Sequence, residues 1–130
     1  MSENGNGFLS KDGILGADDK IIEAVDVPEW GGKVYLRILS AHERDLFDAD
    51  TRDKAGVFVR QDQSAKMLVR MICDPDGKLL LTPNDMSALA GKSCKVLERL
   101  FDVALRINGY TEEAEEANQE KSLAEAPSAS

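Results

Sequence analysis

At 130 residues with a formal net charge of −8, the chain has room for one domain around one modest core, and its four Phe, two Tyr and one Trp leave that core to Leu, Val, Ile and Ala. The acidity sits at the ends: Lys20 to Tyr110 balances 14 acidic against 14 basic residues, Met1 to Asp19 carries four against one, and Thr111 to Ser130 six against one. A neutral body excludes the basic face that phosphate binding requires, and without a basic-plus-apolar leader or a long apolar run neither secretion nor membrane spanning is expected, so the expected location is a cytoplasm.

Residues 1–19 read as a flexible N-terminal arm, interrupted by Gly5, Gly7, Gly13 and Gly16, in which Phe8, Leu9, Ile14 and Leu15 follow neither period for long. From Lys20 the chain alternates, with Ile21, Glu23, Val25 and Val27 on one side and Ile22, Ala24 and Asp26 on the other, and Pro28 ends this first strand. A loop from Pro28 to Gly32 leads into a second, clearer strand. There Val34, Leu36 and Ile38 share one face and Lys33, Tyr35 and Arg37 the other, which specifies a hairpin.

Ser40 and Glu43 stand at capping-box spacing and start a helix expected to reach about Asp53, with Leu46, Phe47 and Ala49 as a short apolar patch. Ala55-Gly56 breaks it, and Val57-Phe58-Val59 reads as a short strand or an extended docking segment. Asp62 is expected to cap a second helix through Ile72, because Ala65, Leu68, Val69 and Ile72 fall at i, i+3, i+4 and i+7. Asp74-Pro75-Asp76-Gly77 is a turn, Leu79 to Leu81 a short buried or extended piece, and Thr82-Pro83 the start of a short helix that stops at Gly91. The longest element follows, with Cys94, Leu97, Leu100, Phe101, Ala104, Leu105 and Asn108 on one face, closed by Gly109. Residues 111–130 are acidic, then rich in Ala and Ser, and read as a largely disordered tail.

The resulting expectation is one α+β domain over residues 20–110: an N-terminal β-hairpin followed by a small helical bundle, between disordered acidic termini.

No residue set points to catalysis, a cofactor or a metal. His42, Glu43, Arg44, Asp45 and Asp48 form the densest polar cluster, but Glu43 is accounted for by capping and the rest read as a solvated helix face. The two cysteines lack metal-ligand or disulfide spacing and read as reduced, half-buried thiols, Cys94 as a small hydrophobe on the long helix. Gly31-Gly32 is a turn rather than a phosphate loop. Trp30, at the hairpin tip, is either folded onto its own hairpin or presented to a partner. Candidate protein-binding residues are Trp30, the Leu46 and Phe47 patch, and Leu97 and Phe101 on the long helix.

The run Val27-Pro28-Glu29-Trp30-Gly31-Gly32-Lys33-Val34-Tyr35-Leu36-Arg37, followed by Ser40 and Glu43-Arg44-Asp45, resembles the opening of the tail assembly chaperones of long-tailed bacteriophages. Asp76-Gly77-Lys78, the Leu-rich piece, Asp85, Lys92-Ser93, the helix from Val96 to Asn108 ending at Gly109, and the acidic end follow the same family's order of elements. The resemblance covers about Val25 to Glu116. It implies a non-enzymatic protein of the host bacterial cytoplasm that binds and solubilises the tape measure protein and helps tail tube subunits assemble around it, with the major tail tube protein as a further partner. Such families often also make a longer product by translational frameshifting. A homo-oligomer is compatible with this reading, and a structural tail or head-tail connector protein retained in the virion is the alternative.

Overall fold

The computed structural model describes residues Gly7–Tyr110; the expectations for residues 1–6 and 111–130 lie outside the described residues. Eight regular elements follow in order: α1 Lys11–Leu15, β1 Ile22–Val27, β2 Gly32–Arg37, α2 Ala41–Asp50, α3 Gln63–Leu68, β3 Ile72–Cys73, α4 Met86–Ala90 and α5 Cys94–Ile107. The architecture is α+β, an antiparallel sheet of order β1-β2-β3 covered by helices. Within the expected arm a five-residue helix, α1, forms after Ser10, whose hydroxyl accepts from the Gly13 amide at 3.0 Å.

β1 and β2 pair from Ile22↔Arg37 to Val27↔Gly32, so Glu23, Val25 and Val27 share a face with Val34 and Leu36. Val25, Val27 and Leu36 are buried on that face. The connection is a 3-10 turn, Pro28–Trp30, closed by Gly31 at φ 82°, a conformation open to glycine without a Cβ penalty. After β2, Ser40 and Glu43 form the expected reciprocal cap, with Ser40 Oγ accepting from the Glu43 amide at 3.1 Å and Glu43 Oε1 from the Ser40 amide at 2.8 Å. The other oxygen of Glu43 accepts from Arg37 at 2.6 Å, which ties the helix start to the strand before it. α2 stops at Asp50, short of the expected Asp53, because Thr51 Oγ1 donates back to the Phe47 carbonyl and Asp53 folds a tight turn through its own carboxylate. The Val57–Val59 segment makes an isolated bridge, Arg52↔Phe58, and is not a strand.

The second helix departs most from expectation. α3 ends at Leu68, and Ile72, expected as its last apolar position, instead begins β3, pairing with Leu36 while Cys73 pairs with Tyr35. Every residue from Met67 to Cys73 is buried, so the apolar spacing here does not mark out one face of a helix. The Arg37 amide donates to the Met71 carbonyl at 2.8 Å and draws the chain into the sheet. Arg70 makes the transition possible: nearly buried, it donates to the Lys66 carbonyl at 2.8 Å and pairs with Asp50, so both a helix-end carbonyl and a buried charge are satisfied. Asp62 occupies the position before α3 but in the left-handed region, φ 58°, with no side-chain capping bond.

The Asp74–Gly77 turn forms as expected, Asp74 Oδ1 accepting from the Asp76 and Lys78 amides, both at 2.9 Å. Gly77, at φ 91°, lies where an added Cβ would come 3.0 Å from the Ile22 side chain. The turn thereby tucks beneath the sheet, and its Gly77 carbonyl accepts from Arg37 at 3.0 Å. Thr82 and Asp85 form a second capping box ahead of α4.

α5 buries Val96, Leu97, Leu100 and Ala104 against the sheet and α3. Its end is a paired-hydrogen-bond stop, Tyr110 N–H to Leu105 O at 2.7 Å and Gly109 N–H to Arg106 O at 3.1 Å, with Gly109 at φ 82°. Asn108 joins it to β2, its Oδ1 accepting from the Leu39 amide at 3.0 Å. Two forked ion pairs clamp the hairpin from outside: Arg99 to Glu29 at 2.9 and 2.6 Å, and Arg106 to Glu23.

Two predictions follow from this packing. Leu100→Ala removes a fully buried side chain at the centre of α5 and is expected to lower unfolding free energy by about 2–5 kcal/mol, read by urea denaturation. The Arg99 hydrogen bonds hold the Glu29 carboxyl down from 4.5 to about 2. A depressed carboxylate stabilises fully above its unfolded value and loses that contribution as pH falls through the folded one. The difference in urea midpoint between wild type and Glu29→Gln is therefore expected to stay constant down to about pH 5 and to shrink below it.

Candidate functional site

The five candidate binding residues separate into three places. Trp30 ends the 3-10 turn at the hairpin tip and is 39% exposed, held next to the Glu29–Arg99 pair. Leu46 and Phe47 are neighbours on α2 and therefore point about 100° apart. Leu46 is 44% exposed, while Phe47, at 5%, belongs to the core. Leu46 is thus a surface residue and Phe47 a core residue.

Leu97 and Phe101 come together. With Ala65 of α3 and Ala90 of α4 they line a depression of about 320 Å³ between the α3 start and the first half of α5. Leu97 is buried and Phe101 half-buried, so Phe101 is the larger apolar surface this groove offers. Its rim alternates in charge, Arg60 and Lys92 against Asp62 and Glu98. Such a site suits an apolar side chain of a partner flanked by polar groups, and the exposed Cys94 also lies on its wall.

Part of the densest polar cluster has structural partners. Of the cluster at the start of α2, Glu43 is engaged by Ser40 and Arg37, His42, Asp45 and Asp48 are exposed, and Arg44 lies over the Tyr110 ring at 4.2 Å. Among the described residues no group of three or more His, Cys, Asp or Glu side chains converges as a metal site would. The cysteines differ from expectation. Cys73 is buried in β3, where burial pushes its thiol up, whereas Cys94 is exposed at the first position of α5, the turn before the buried face begins. Sequence reasoning also missed a second depression, about 240 Å³, beside the Arg70–Asp50 pair and lined by Val69, Pro83 and Met86. A lone Arg inside an apolar run was its available signal.

Fold and surface define a small α+β domain with apolar contact patches on a charged exterior in which acidic and basic residues are equal in number from Lys20 to Tyr110. Residues 17–121 match the family described as phage tail assembly chaperone, and the chain belongs to that family, whose role in tail assembly is non-enzymatic. The structure of the bacteriophage HK97 tail assembly chaperone shares the fold, with a TM-score of 0.54 and 22% sequence identity over 70% of this chain and 84% of that chain. No curated protein matches the sequence. Among the described residues, no helix is long and apolar enough to cross a membrane.

The contrast between the thiols is directly measurable. In native protein a thiol reagent is expected to modify one equivalent, mapped to Cys94, with Cys73 reacting only after unfolding; modification of both at equal rates would contradict the burial of β3.

Proposed function

We propose that this tail assembly chaperone binds the tape measure protein in the host bacterial cytoplasm, keeps it soluble, and holds it while tail tube subunits assemble around it. The observation that carries the reading is family membership over residues 17–121, joined to apolar side chains left on the surface of a fully formed fold. A long helical client presents apolar stripes, and helix-in-groove contact can use a depression such as the one at Leu97 and Phe101, whose apolar floor has a polar and charged rim. Trp30 and Leu46 supply further apolar contact. The major tail tube protein is a second partner in this reading, and self-association of the chaperone is compatible with it. The net charge of −8 favours solubility of the loaded complex.

The test is co-expression with the tape measure protein encoded in the same genome. The client is expected to remain in solution and to co-purify with this chain, and Leu46→Glu and Phe101→Ser, each still folded by circular dichroism, are expected to reduce the recovered complex severalfold. No complex with the wild-type chain, together with its presence in purified virions, would instead establish a structural tail or connector protein.

A further inference from the structure

Among the described residues, Asn108-Gly109 is the one step at which Gly follows Asn. Such a step is chemically labile, because a following residue without a Cβ lets its backbone nitrogen reach the Asn side-chain carbon and close a succinimide ring. The fold places this step where α5 ends against β2. Asn108 Oδ1 accepts from the Leu39 amide at 3.0 Å, and Nδ2 donates to the Ala104 carbonyl at 2.8 Å and to Met71 Sδ at 3.3 Å. The carboxamide therefore joins the end of α5 to the end of β2 and to the chain entering β3.

The same geometry keeps the ring from closing. Asn108 has φ −85° and ψ 3°, so the Gly109 nitrogen eclipses the Asn108 nitrogen and is turned away from the side chain. Bringing it onto Cγ requires rotation about ψ. That rotation breaks the Gly109 N–H to Arg106 O bond at 3.1 Å and the Tyr110 N–H to Leu105 O bond at 2.7 Å, and it draws the Tyr110 ring away from Arg44, whose guanidinium lies 4.2 Å from its centre. Gly109 itself is exposed, so water reaches this step as soon as the end of α5 lifts.

We propose that Asn108-Gly109 is a deamidation site gated by the end of α5, closed while the carboxamide holds the Leu39 amide and open when that end lifts from β2. The Gly109 nitrogen attacks Asn108 Cγ, the Cγ–Nδ2 bond breaks, and Nδ2 leaves as ammonia together with the Gly109 proton. Water then adds to either carbonyl of the succinimide and gives Asp or isoaspartate, with no change of oxidation state. Both products weaken the latch. Asp keeps an acceptor for the Leu39 amide but sets a carboxylate oxygen against the Ala104 carbonyl, at a helix C-terminus where negative charge is unfavourable. Isoaspartate reroutes the main chain through the side chain and displaces Gly109 and Tyr110. A transient opening of α5 is thereby made permanent.

The test incubates the full chain at mildly alkaline pH, native and in guanidinium chloride, and follows the peptide carrying Asn108 by mass. Asn4-Gly5 and Asn6-Gly7 also occur in the sequence, so their peptide is quantified separately, and a synthetic peptide of residues 104–113 in both solvents corrects for the denaturant's own effect. Asn108 is expected to convert at least about tenfold faster in denaturant than in native protein, because native conversion is confined to the locally open fraction. Equal rates in the two states would overturn the gate, and no conversion in denaturant would overturn the site. Arg44→Ala, a substitution at an exposed position that releases Tyr110, is expected to raise the native rate severalfold without moving the denaturation midpoint; an unchanged rate would remove the end of α5 as the gate. Asn108→Asp, which carries one of the two products, is expected to lower that midpoint. A midpoint equal to that of the wild type would show that deamidation leaves the latch intact, against the inference.

Discussion

The burial of one face of α5 is the constraint on which the rest of this structure depends. Val96, Leu97, Leu100 and Ala104 are all inside, and they touch the two parts of the chain that could otherwise part company, the hairpin and α3. Apolar burial is non-directional, so it brings these parts together without fixing their angle. The angle is set by polar contacts around the rim of α5. Arg99 and Arg106 stand seven residues apart, two turns along the same side of the helix, and fork onto Glu29 and Glu23 of the hairpin. Asn108 adds a hydrogen bond to the Leu39 amide where β2 ends. The two exposed ion pairs contribute modestly to stability, but together with the Asn108 hydrogen bond they leave few ways for the hairpin to lie.

That division explains which parts of the fold were legible in the sequence. The hairpin, the Ser40–Glu43 cap, the Asp74–Gly77 turn and α5 are each specified by local chemistry, and each formed where expected. α3 was misread because helical spacing at Ala65, Leu68, Val69 and Ile72 is equally well satisfied by a chain buried on every side. What decided between helix and strand was the unpaired edge of β2, a partner more than thirty residues away in sequence. Arg70 was the overlooked clue. A cation inside an apolar run has to find an anion and a carbonyl, and Asp50 and Lys66 provide them only if α3 ends where it does.

The candidate surface was half legible for a related reason. Sequence proximity groups Leu46 with Phe47, yet adjacent helical residues face different ways, so one is surface and the other core. Cys94 shows the same limit at a helix end: it holds a correct face position but lies before the first turn has anything to pack against. Leu97 and Phe101, four apart on α5, do share a face, and the structure adds what periodicity cannot supply, the Ala65 and Ala90 floor that leaves room beside them. The short residues of α3 and α4 make the depression; larger ones would fill it.

A protein that must receive an apolar client faces a conflict between displaying apolar surface and staying in solution. Here the exposed large hydrophobic residues among the described residues are Trp30 at the hairpin tip, Leu46 on α2, Val57 and Leu80 in separate loops, and five in the segment ahead of β1. The body is electrically neutral, and among the described residues five ion pairs tie part of its surface charge to the fold. The charge that keeps molecules apart lies instead in the sequence at the two ends. The groove's own charges balance, Arg60 and Lys92 against Asp62 and Glu98, so the net negative charge that opposes precipitation comes from the ends rather than from the groove. Contact and solubility are thereby assigned to different parts of the chain, and a change to either can be made without rebuilding α5.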